Sequence, residues 1–507
     1  MKEHARALSI PAVLLALLTQ CAPGQQPSQQ AQDVARYAVS SYADSMESML
    51  AQLVAFHTVN QAGVPTAENS EFRAMTAYLE QVAQEYGFDF ADHGAVVVIG
   101  LGDADDRLGI VTHGDVQPAN ASKWALDPFV LDTVSEPGLL LGRGVEDDKG
   151  PIATALYAMK ALSDQGVILA RRIELVVSYT EESDWTPFQE FLAEWDAPDL
   201  NVALDAEYPV VTAEKGWNKI VLSFAPDSPE SGSGPRLVSF RGGAFLSQIP
   251  EDAEAVIVGA TPALHAALLE IGRQDTLVRF DLRMAGDSLV VQARGMAAHS
   301  SKPWQGRNAI THLAAVLGTQ RWPPTQASHM VEIVNDLVGT GDYAEQFGDL
   351  AYSHEFMGPL TLSLTTLGVQ EDGALMAGIN VRGPVGRTGG EIEQMIRDAV
   401  NEWTSRTGVE VQISTILGDP HYLDDAPHIP ALLSVYRHYT GNEDAEPISI
   451  GGGTHARLVP SGVNFGPAMP DEPYTGHSEH EYMTRDQMRL NLEMYTAMLV
   501  ELAGSSP

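Results

Sequence analysis

The chain has 507 residues, which is too many for one ordinary hydrophobic core and predicts two domains behind a short N-terminal extension. Its 67 acidic and 30 basic residues give a formal net charge of -37, spread along the whole chain. Binding to nucleic acid or to an anionic membrane surface needs a basic face, so we expect neither partner.

The N-terminal segment is typical of a bacterial export signal. Lys2 and Arg6 precede a short apolar run, Ile10–Leu18, and Cys21 follows it. This order resembles a lipoprotein signal with a lipid anchor at Cys21, and an ordinary secretory signal is the alternative. We therefore assign residues 1–32 to a leader and linker, and expect an exported protein, either periplasmic or anchored to the outer membrane. Cys21 is the only cysteine, which excludes an intrachain disulfide and a thiolate zinc site.

Residues 33–215 open with two helical patterns and continue as short apolar runs that alternate with helices, such as "LGIVTHGDV" and "RIELVVSYTEES". This order predicts an α/β domain with a mostly parallel sheet flanked by helices. Ligands in such sheets bind beyond the carboxyl ends of the strands. The motifs described below follow strands in this way.

Residues 216–413 differ, because their apolar runs alternate with polar residues and are joined by turns, as in "LVVQARG" and "LMAGINVRG". We expect an inserted α+β domain here, with an antiparallel sheet and helices. The first pattern resumes in residues 414–507, which we assign to the second part of the α/β domain.

Acidic residues and histidines gather at the predicted strand ends. Carboxylates brought to one edge of a sheet repel one another unless a cation neutralises them, and a pair of divalent metals would do so. Imidazole and carboxylate ligands without thiolate suit zinc first, with cobalt or manganese as substitutes. The candidates are His113, Asp115, Asp147, Glu181, Glu182, Asp205 and His477.

Two spacings among these residues suit metal-assisted hydrolysis. His113 and Asp115 are two apart, so on an extended strand Asp115 can hold the imidazole in one tautomer. Glu181 and Glu182 are adjacent, so one can bind metal while the other accepts a proton.

Seven motifs in register carry a family resemblance: "HGDVQP", "GRGVEDDKGP", "TEES", "DAEYP", "GMAAHSSKP", "GGGT" and "HSEHEY". In this order they resemble the co-catalytic zinc peptidases that include carnosinase, bacterial beta-alanyl and Xaa-His dipeptidases and carboxypeptidase G. The segments "DAEYPVVTAEKG" and "DPHYLDDAP" point to the dipeptidase branch.

The resemblance implies a role for each metal-site residue. Asp147 would bridge two zinc ions and precede a cis peptide bond. His113 and Asp205 would complete one site, and Glu182 and His477 the other, with His480 as a nearby rival for His477. Glu181 would be the general base and then the acid that protonates the leaving amine.

The resemblance also places residues of the inserted domain and of a late loop at the substrate. His299 would stabilise the oxyanion, and Arg382 would clamp a substrate carboxylate near Gly453 and Thr454. Ser247 stands where the dipeptidases typically have asparagine. The α/β domain, residues 33–215 and 414–507, would then be the catalytic domain, and the inserted domain a lid that closes over its site.

The resulting hypothesis is a dinuclear zinc hydrolase of dipeptides or short peptides with a free C-terminal carboxylate. An N-acyl amino acid deacylase or a carboxypeptidase would use the same residues. A non-catalytic peptide-binding lipoprotein is the alternative from another class, and it would have no use for Glu181. Both a monomer and a homodimer remain open.

Overall fold

The computed structural model describes residues 26–61, 63–227 and 234–505. The predicted lipid anchor at Cys21 lies outside the described residues. Within them, none of the helices combines the length and apolarity needed to cross a bilayer.

The elements follow the chain in three groups. Before Gly216 the helices and strands are α1 (Gln29–Val54), α2 (Ser70–Tyr86), β1 (Asp89–Asp92), β2 (Val96–Leu101), β3 (Arg107–His113), β4 (Leu139–Leu141), α3 (Lys149–Asp164), β5 (Arg172–Ser178), α4 (Thr186–Glu194), β6 (Leu200–Ala203), β7 (Ala206–Glu207) and β8 (Val211–Glu214). The middle group is β9 (Gly216–Phe224), β10 (Arg236–Gly242), β11 (Asp252–Val258), α5 (Pro262–Gln274), β12 (Arg279–Ala285), β13 (Ser288–Arg294), α6 (Ala309–Gly318), α7 (Gln326–Ile333), β14 (Ser353–His354), β15 (Gly358–Pro359), β16 (Thr361–Val369), β17 (Leu375–Gly383), α8 (Gly389–Thr407) and β18 (Gln412–Ile416). The last group is β19 (His421–Tyr422), α9 (Ile429–Thr440), β20 (Ile448–Ile450), β21 (Val463–Asn464), β22 (Pro467–Ala468), β23 (Tyr482–Thr484) and α10 (Arg485–Ala503).

The first and last groups share one sheet in the order β1-β2-β5-β3-β6-β21-β8-β19, with β20 also paired to β8. The sheet is mixed. Its centre is parallel from β5 through β3 and β6 to β21, and both edges are antiparallel. Buried apolar side chains cover it on both faces, one through α1, α3 and α10 and the other through α4. The predicted α/β class is confirmed.

Helix α1 starts earlier than the sequence predicted. The Ser28 side chain accepts a hydrogen bond from the Ala31 amide and caps the helix, which begins at Gln29. Ala31 is fully buried. The linker predicted to reach residue 32 therefore ends by Ser28, because the helix starts at Gln29 and places Ala31 in the core.

The middle group forms a separate antiparallel sheet in the order β12-β13-β11-β10-β16-β17-β9-β18. Its own core joins the sheet to α6, α7 and α8, with Trp403 among the most deeply buried side chains. Strand β18 pairs with β9 and extends to Ile416, beyond the boundary predicted at residue 413. We call this unit the lid.

Three strands of the catalytic sheet end side by side. His113 on β3 pairs with Ser178 on β5, and Val111 on β3 pairs with Ala203 on β6. Glu181 and Asp205 follow these last two strands at the same edge. Parallel pairing thus brings distant segments of the chain to one place.

Candidate metal centre and active site

Two groups of metal-binding side chains lie next to each other at this edge. One contains His113, Asp148 and Asp205, and the other contains Asp147, Glu182 and His477. The ligand atoms of each group lie within 4.8 Å of one another. All five of the predicted metal ligands are therefore brought together.

Asp147 faces both groups. Its Oδ1 lies 2.8 Å from His113 Nε2, and its Oδ2 lies 3.1 Å from His477 Nε2. Burial alone would raise the pKa of Asp147, but hydrogen bonds from both histidines hold it well below its usual range. His113 Nε2 also lies 3.4 Å from Asp205 Oδ1. This geometry matches the bridging position that the resemblance implied, and the Asp147–Asp148 peptide is cis, as it also implied.

Glu146 and Asp148, the acidic residues on either side of Asp147, each accept hydrogen bonds from other parts of the chain. Glu146 Oε2 accepts hydrogen bonds from the Thr475 amide and hydroxyl and from the Gly476 amide. Asp148 Oδ2 accepts one from the His113 amide, while its buried Oδ1 has no partner among the described residues. The run of three acidic residues is therefore hydrogen-bonded to the loop at Thr475 and Gly476 and to the end of β3 at His113.

Glu481 accepts hydrogen bonds from the backbone of the turn that contains Glu146 and Asp147. One of its oxygens accepts hydrogen bonds from the amides of Gly144, Glu146 and Asp147, and the other accepts one from Arg143 at 2.8 Å. Glu481 is fully buried. The segments that carry Asp147 and His477 thus hold each other through buried carboxylates.

Asp115 acts differently from the prediction. The nearest acceptor of His113 Nδ1 is the backbone carbonyl of Asp115 at 2.9 Å, and the carboxylate is 3.5 Å away. The carboxylate instead accepts hydrogen bonds from the amides of Glu181 and Glu182 and from Asn60. The carbonyl still orients the imidazole through Nδ1, and the carboxylate positions the glutamate pair.

The two glutamates face different partners. Glu182 Oε1 lies 2.8 Å from His477 Nε2, and its other oxygen accepts a hydrogen bond from Gln117. Burial, followed by repulsion from Asp205, raises the pKa of Glu181 well above its usual range. A carboxyl with a raised pKa suits a group that takes up a proton and then releases it.

His477, and not His480, lies among these carboxylates. It has a backbone φ of 66°, an uncommon conformation for a residue with a side chain. Its Nδ1 is buried and has no partner among the described residues. His480 is exposed and pairs with Glu136 at 2.6 Å.

The lid contributes His299 to the same site. Its Nδ1 contacts the Ser301 hydroxyl at 2.6 Å and accepts a hydrogen bond from the Ser301 amide, so the ring proton belongs on Nε2. Burial and the neighbouring His477 and Arg382 hold the pKa of His299 well below its ordinary value. His299 is thus a neutral imidazole with Nε2–H as its donor.

Arg382 is a buried residue on lid strand β17. Its Nε donates to Asn380 at 2.9 Å. Burial and the nearby Arg457 lower its pKa, and Glu214 only partly opposes them. The surroundings of Arg382 therefore favour binding of a further anion.

Thr454 in the late glycine-rich loop is hydrogen-bonded within the fold. The Thr454 hydroxyl donates to Glu214 at 2.7 Å and accepts from the Ala456 amide. The bond from the Ala456 amide caps the short helical turn that follows, and the bond to Glu214 ties the loop to strand β8. Gly453 and Thr454 both line the cavity described below, and their predicted contact with a substrate carboxylate stays a prediction.

One cavity of about 940 Å³ connects these residues. It is lined by all of the predicted site residues except His113 and Asp115, which lie behind its wall: Asp147, Glu181, Glu182, Asp205, Ser247, His299, Arg382, Gly453, Thr454 and His477. Lys302 of the lid forms an ion pair with Glu207 of the catalytic domain at the same cavity. The lid and the catalytic domain thus meet around the site.

The donor set fits divalent metal ions. The carboxylates of Asp147, Asp148, Glu181, Glu182 and Asp205 converge with the imidazoles of His113 and His477. Neighbouring carboxylates raise the pKa of both His113 and His477 against the effect of burial, so the cluster attracts positive charge. Nitrogen and oxygen donors of this kind suit zinc.

Comparison with known proteins identifies the family of this chain. Residues 109–501 match the model of the family described as "Peptidase family M20/M25/M40". The chain belongs to this family. Membership confirms both the resemblance drawn from the motifs and the prediction of a metallopeptidase.

Relatives and solved structures cover nearly the whole chain. The protein named "Putative dipeptidase YtjP" from Bacillus subtilis (strain 168) is 30% identical over 472 residues, covering 91% of this chain and 96% of that protein. Human carnosine dipeptidase 1 has a TM-score of 0.58 at 16% identity, covering 94% of this chain and 99% of that one. The di-peptidase Dug1p from Saccharomyces cerevisiae has a TM-score of 0.56 at 13% identity, with coverage of 93% and 98%. At these identities, the structural likeness supports the fold.

Proposed function

We propose that this M20-family peptidase hydrolyses dipeptides or short peptides with a free C-terminal carboxylate, using two zinc ions. The observation that carries the proposal is the position of Asp147, whose two oxygens face two separate groups of ligands. A single shared carboxylate of this kind suits a pair of cations held close together. The name of the Bacillus subtilis relative supports a dipeptidase.

His113 and Asp205 would hold one zinc ion, Glu182 and His477 the other, and Asp147 both. Bound zinc ions would lower the pKa of a water molecule and polarise the scissile carbonyl. Cobalt or manganese would be accepted by the same donors.

The remaining residues divide the work of hydrolysis. Glu181 takes the proton from the attacking water and returns it to the leaving amine, because it lines the cavity and belongs to neither ligand group. The Nε2–H of His299 donates to the negative charge that develops on the carbonyl oxygen. Arg382 binds the substrate carboxylate in a two-point contact.

The cavity supports a small substrate. Its volume of about 940 Å³ lies near the upper end of small-ligand sites, so a peptide of a few residues fills it. The lid supplies His299 and Arg382, so only a closed arrangement around the substrate assembles the site. Ser247 lines the cavity and contributes a shorter polar group there than asparagine would.

The experiment is a substrate panel with the zinc-loaded protein. It contains free dipeptides, the same dipeptides with an amidated C-terminus, longer peptides and N-acetylated amino acids. We expect cleavage of free dipeptides and a large loss on amidation. Preferred cleavage of acetylated amino acids would indicate a deacylase, release of C-terminal residues from longer peptides a carboxypeptidase, and no cleavage with retained peptide binding a transport protein.

We also propose that the protein is exported and carries a lipid on Cys21, on the basis of the N-terminal sequence alone. Labelling with a radioactive fatty acid in a bacterial host tests this. We expect label on the wild type and none on Cys21→Ser. Unlabelled protein in the soluble periplasm would indicate an ordinary secretory signal instead.

A further inference from the structure

Tyr474 contacts the shared carboxylate of the metal centre, although no motif of the sequence pointed to it. Its hydroxyl lies 2.6 Å from Asp147 Oδ2. His477 Nε2 lies 3.1 Å from the same oxygen. The tyrosine is therefore a hydrogen-bond donor to the one side chain that faces both ligand groups.

The loop that contains Tyr474, Thr475 and Gly476 leaves space for the tyrosine ring because Gly476 has no side chain. A Cβ atom added at Gly476 would lie 2.3 Å from the Tyr474 hydroxyl oxygen and 2.4 Å from the ring carbon that bears it. Real Cβ atoms do not approach other atoms so closely, so a side chain here would displace the phenol. The same Cβ atom would lie 3.0 Å from Asp147 Oδ2, so the absence of a side chain at position 476 leaves room for the contact between the phenol and the carboxylate.

The loop itself is held in place by the catalytic domain. Glu146 accepts hydrogen bonds from the amides of Thr475 and Gly476, and the Tyr482 amide donates to the Thr475 hydroxyl. These contacts lie on the two residues that follow Tyr474. The position of the phenol is therefore set by a buried network and not by the side chain alone.

The contact makes the two sides of Asp147 unequal. Oδ1 faces His113 Nε2 at 2.8 Å, whereas Oδ2 faces both His477 and the tyrosine hydroxyl. A carboxylate oxygen has lone pairs for a cation and for one hydrogen bond together. The hydroxyl can thus restrict rotation of the carboxylate while both oxygens remain available as ligands.

We propose that Tyr474 is a positioning residue for the metal centre, which holds the Asp147 carboxylate so that each oxygen faces one ligand group. This inference rests on the two-metal function proposed above. Groups that orient a metal ligand typically contribute about 10- to 100-fold to metal affinity. The expected effect therefore appears in metal binding before any substrate is added.

The test is zinc titration of the metal-free protein against a competing chelator. Tyr474→Phe removes a single oxygen atom, and we expect at least one of the two zinc affinities to fall about tenfold or more. Gly476→Ala should also weaken zinc binding, because its methyl group would displace the phenol and press on Asp147 Oδ2. Tyr439→Phe is the matched control, because the buried Tyr439 hydroxyl has no partner among the described residues.

A second readout is the visible absorption spectrum of the cobalt-loaded protein, which we expect Tyr474→Phe to change and Tyr439→Phe to leave unchanged. Wild-type protein that binds fewer than two ions would overturn the proposed function itself. Two ions in the wild type, with unchanged affinities and spectrum in Tyr474→Phe, would overturn only the positioning role. Gly476→Ala with wild-type affinity would also contradict it, since the ring would then not depend on the glycine.

Discussion

Glu146 fixes the backbone of Thr475: its Oε2 lies 2.7 Å from both the amide nitrogen and the hydroxyl of that residue. The contact joins the segment that carries Asp147 to the loop that carries His477. Burial raises the pKa of Glu146 to about 8, although the hydrogen bonds from Thr475 oppose this shift. The acid next to the shared ligand thus has a structural role of its own.

Replacing Glu146 with alanine should destabilise the protein and weaken its metal site. Three donors would lose their acceptor, at a cost of about 2–4 kcal/mol in the free energy of unfolding. Urea denaturation and zinc content measure the two effects. Glu146→Gln is the control, because its amide oxygen can still accept these bonds, and equal stability of Glu146→Ala and wild type would contradict the role.

Replacing Glu181 with alanine should leave zinc binding intact and lower turnover by about 10²- to 10⁴-fold, the range typical of a lost general base. The reason is that Glu181 lines the cavity but belongs to neither ligand group. Elemental analysis measures the bound zinc, and kcat on a free dipeptide measures the turnover. Glu182→Ala is the matched comparison and should lose zinc, because Glu182 belongs to a ligand group. Turnover at the wild-type level in Glu181→Ala would show that another residue is the general base.

The two late histidines should behave differently. His477→Ala should lose one zinc equivalent, because His477 Nε2 lies 2.8 Å from Glu182 Oε1. His480→Ala should retain both, since His480 is exposed and pairs with Glu136. Elemental analysis after dialysis distinguishes them, and the reverse result would make His480 the ligand.

Acid should destabilise the protein through His428. Burial lowers its pKa to about 4, against about 6.5 in an unfolded chain, while its contact with the Asn201 carbonyl opposes the shift. The folded state keeps this imidazole neutral, so the unfolded state binds more protons and stability falls as the pH drops from 6.5 towards 4. Between pH 7.5 and pH 5 this loss is about 2 kcal/mol.

The measurement is urea denaturation of wild type and His428→Gln at both pH values, in the presence of excess zinc. The amide of glutamine can still donate to the Asn201 carbonyl but does not titrate. The stability difference between the two proteins should therefore shift by about 2 kcal/mol in favour of the variant at pH 5. A difference that is the same at both values would show that His428 is not responsible.

The sequence predicted the fold class and the residues that converge because both follow from strand order. His113 and Asp205 come at the ends of apolar runs, and parallel strands end at one edge of a sheet. The contacts of side chains between loops could not be predicted in this way. The Thr454 hydroxyl is bound by Glu214, which is distant in the sequence, and the position of Tyr474 depends on the missing side chain of Gly476.

The role of Asp115 shows the same limit at shorter range. Its spacing from His113 predicted a contact between the two side chains, but the backbone turns after β3 and brings the carbonyl to the ring instead. The carboxylate then reaches the amides of Glu181 and Glu182 on a neighbouring strand end. The alternation of side chains applies only within a regular strand. Strand β3 ends at His113, so the alternation does not predict where the Asp115 side chain points.

The central claim is that Asp147 is shared by two cations. Zinc-loaded crystals measured at the zinc absorption edge test it most directly, because anomalous scattering locates each ion independently of the protein model. The account predicts two peaks, one between Asp147, His113 and Asp205 and the other between Asp147, Glu182 and His477. A single peak, or peaks that do not contact Asp147, would contradict it.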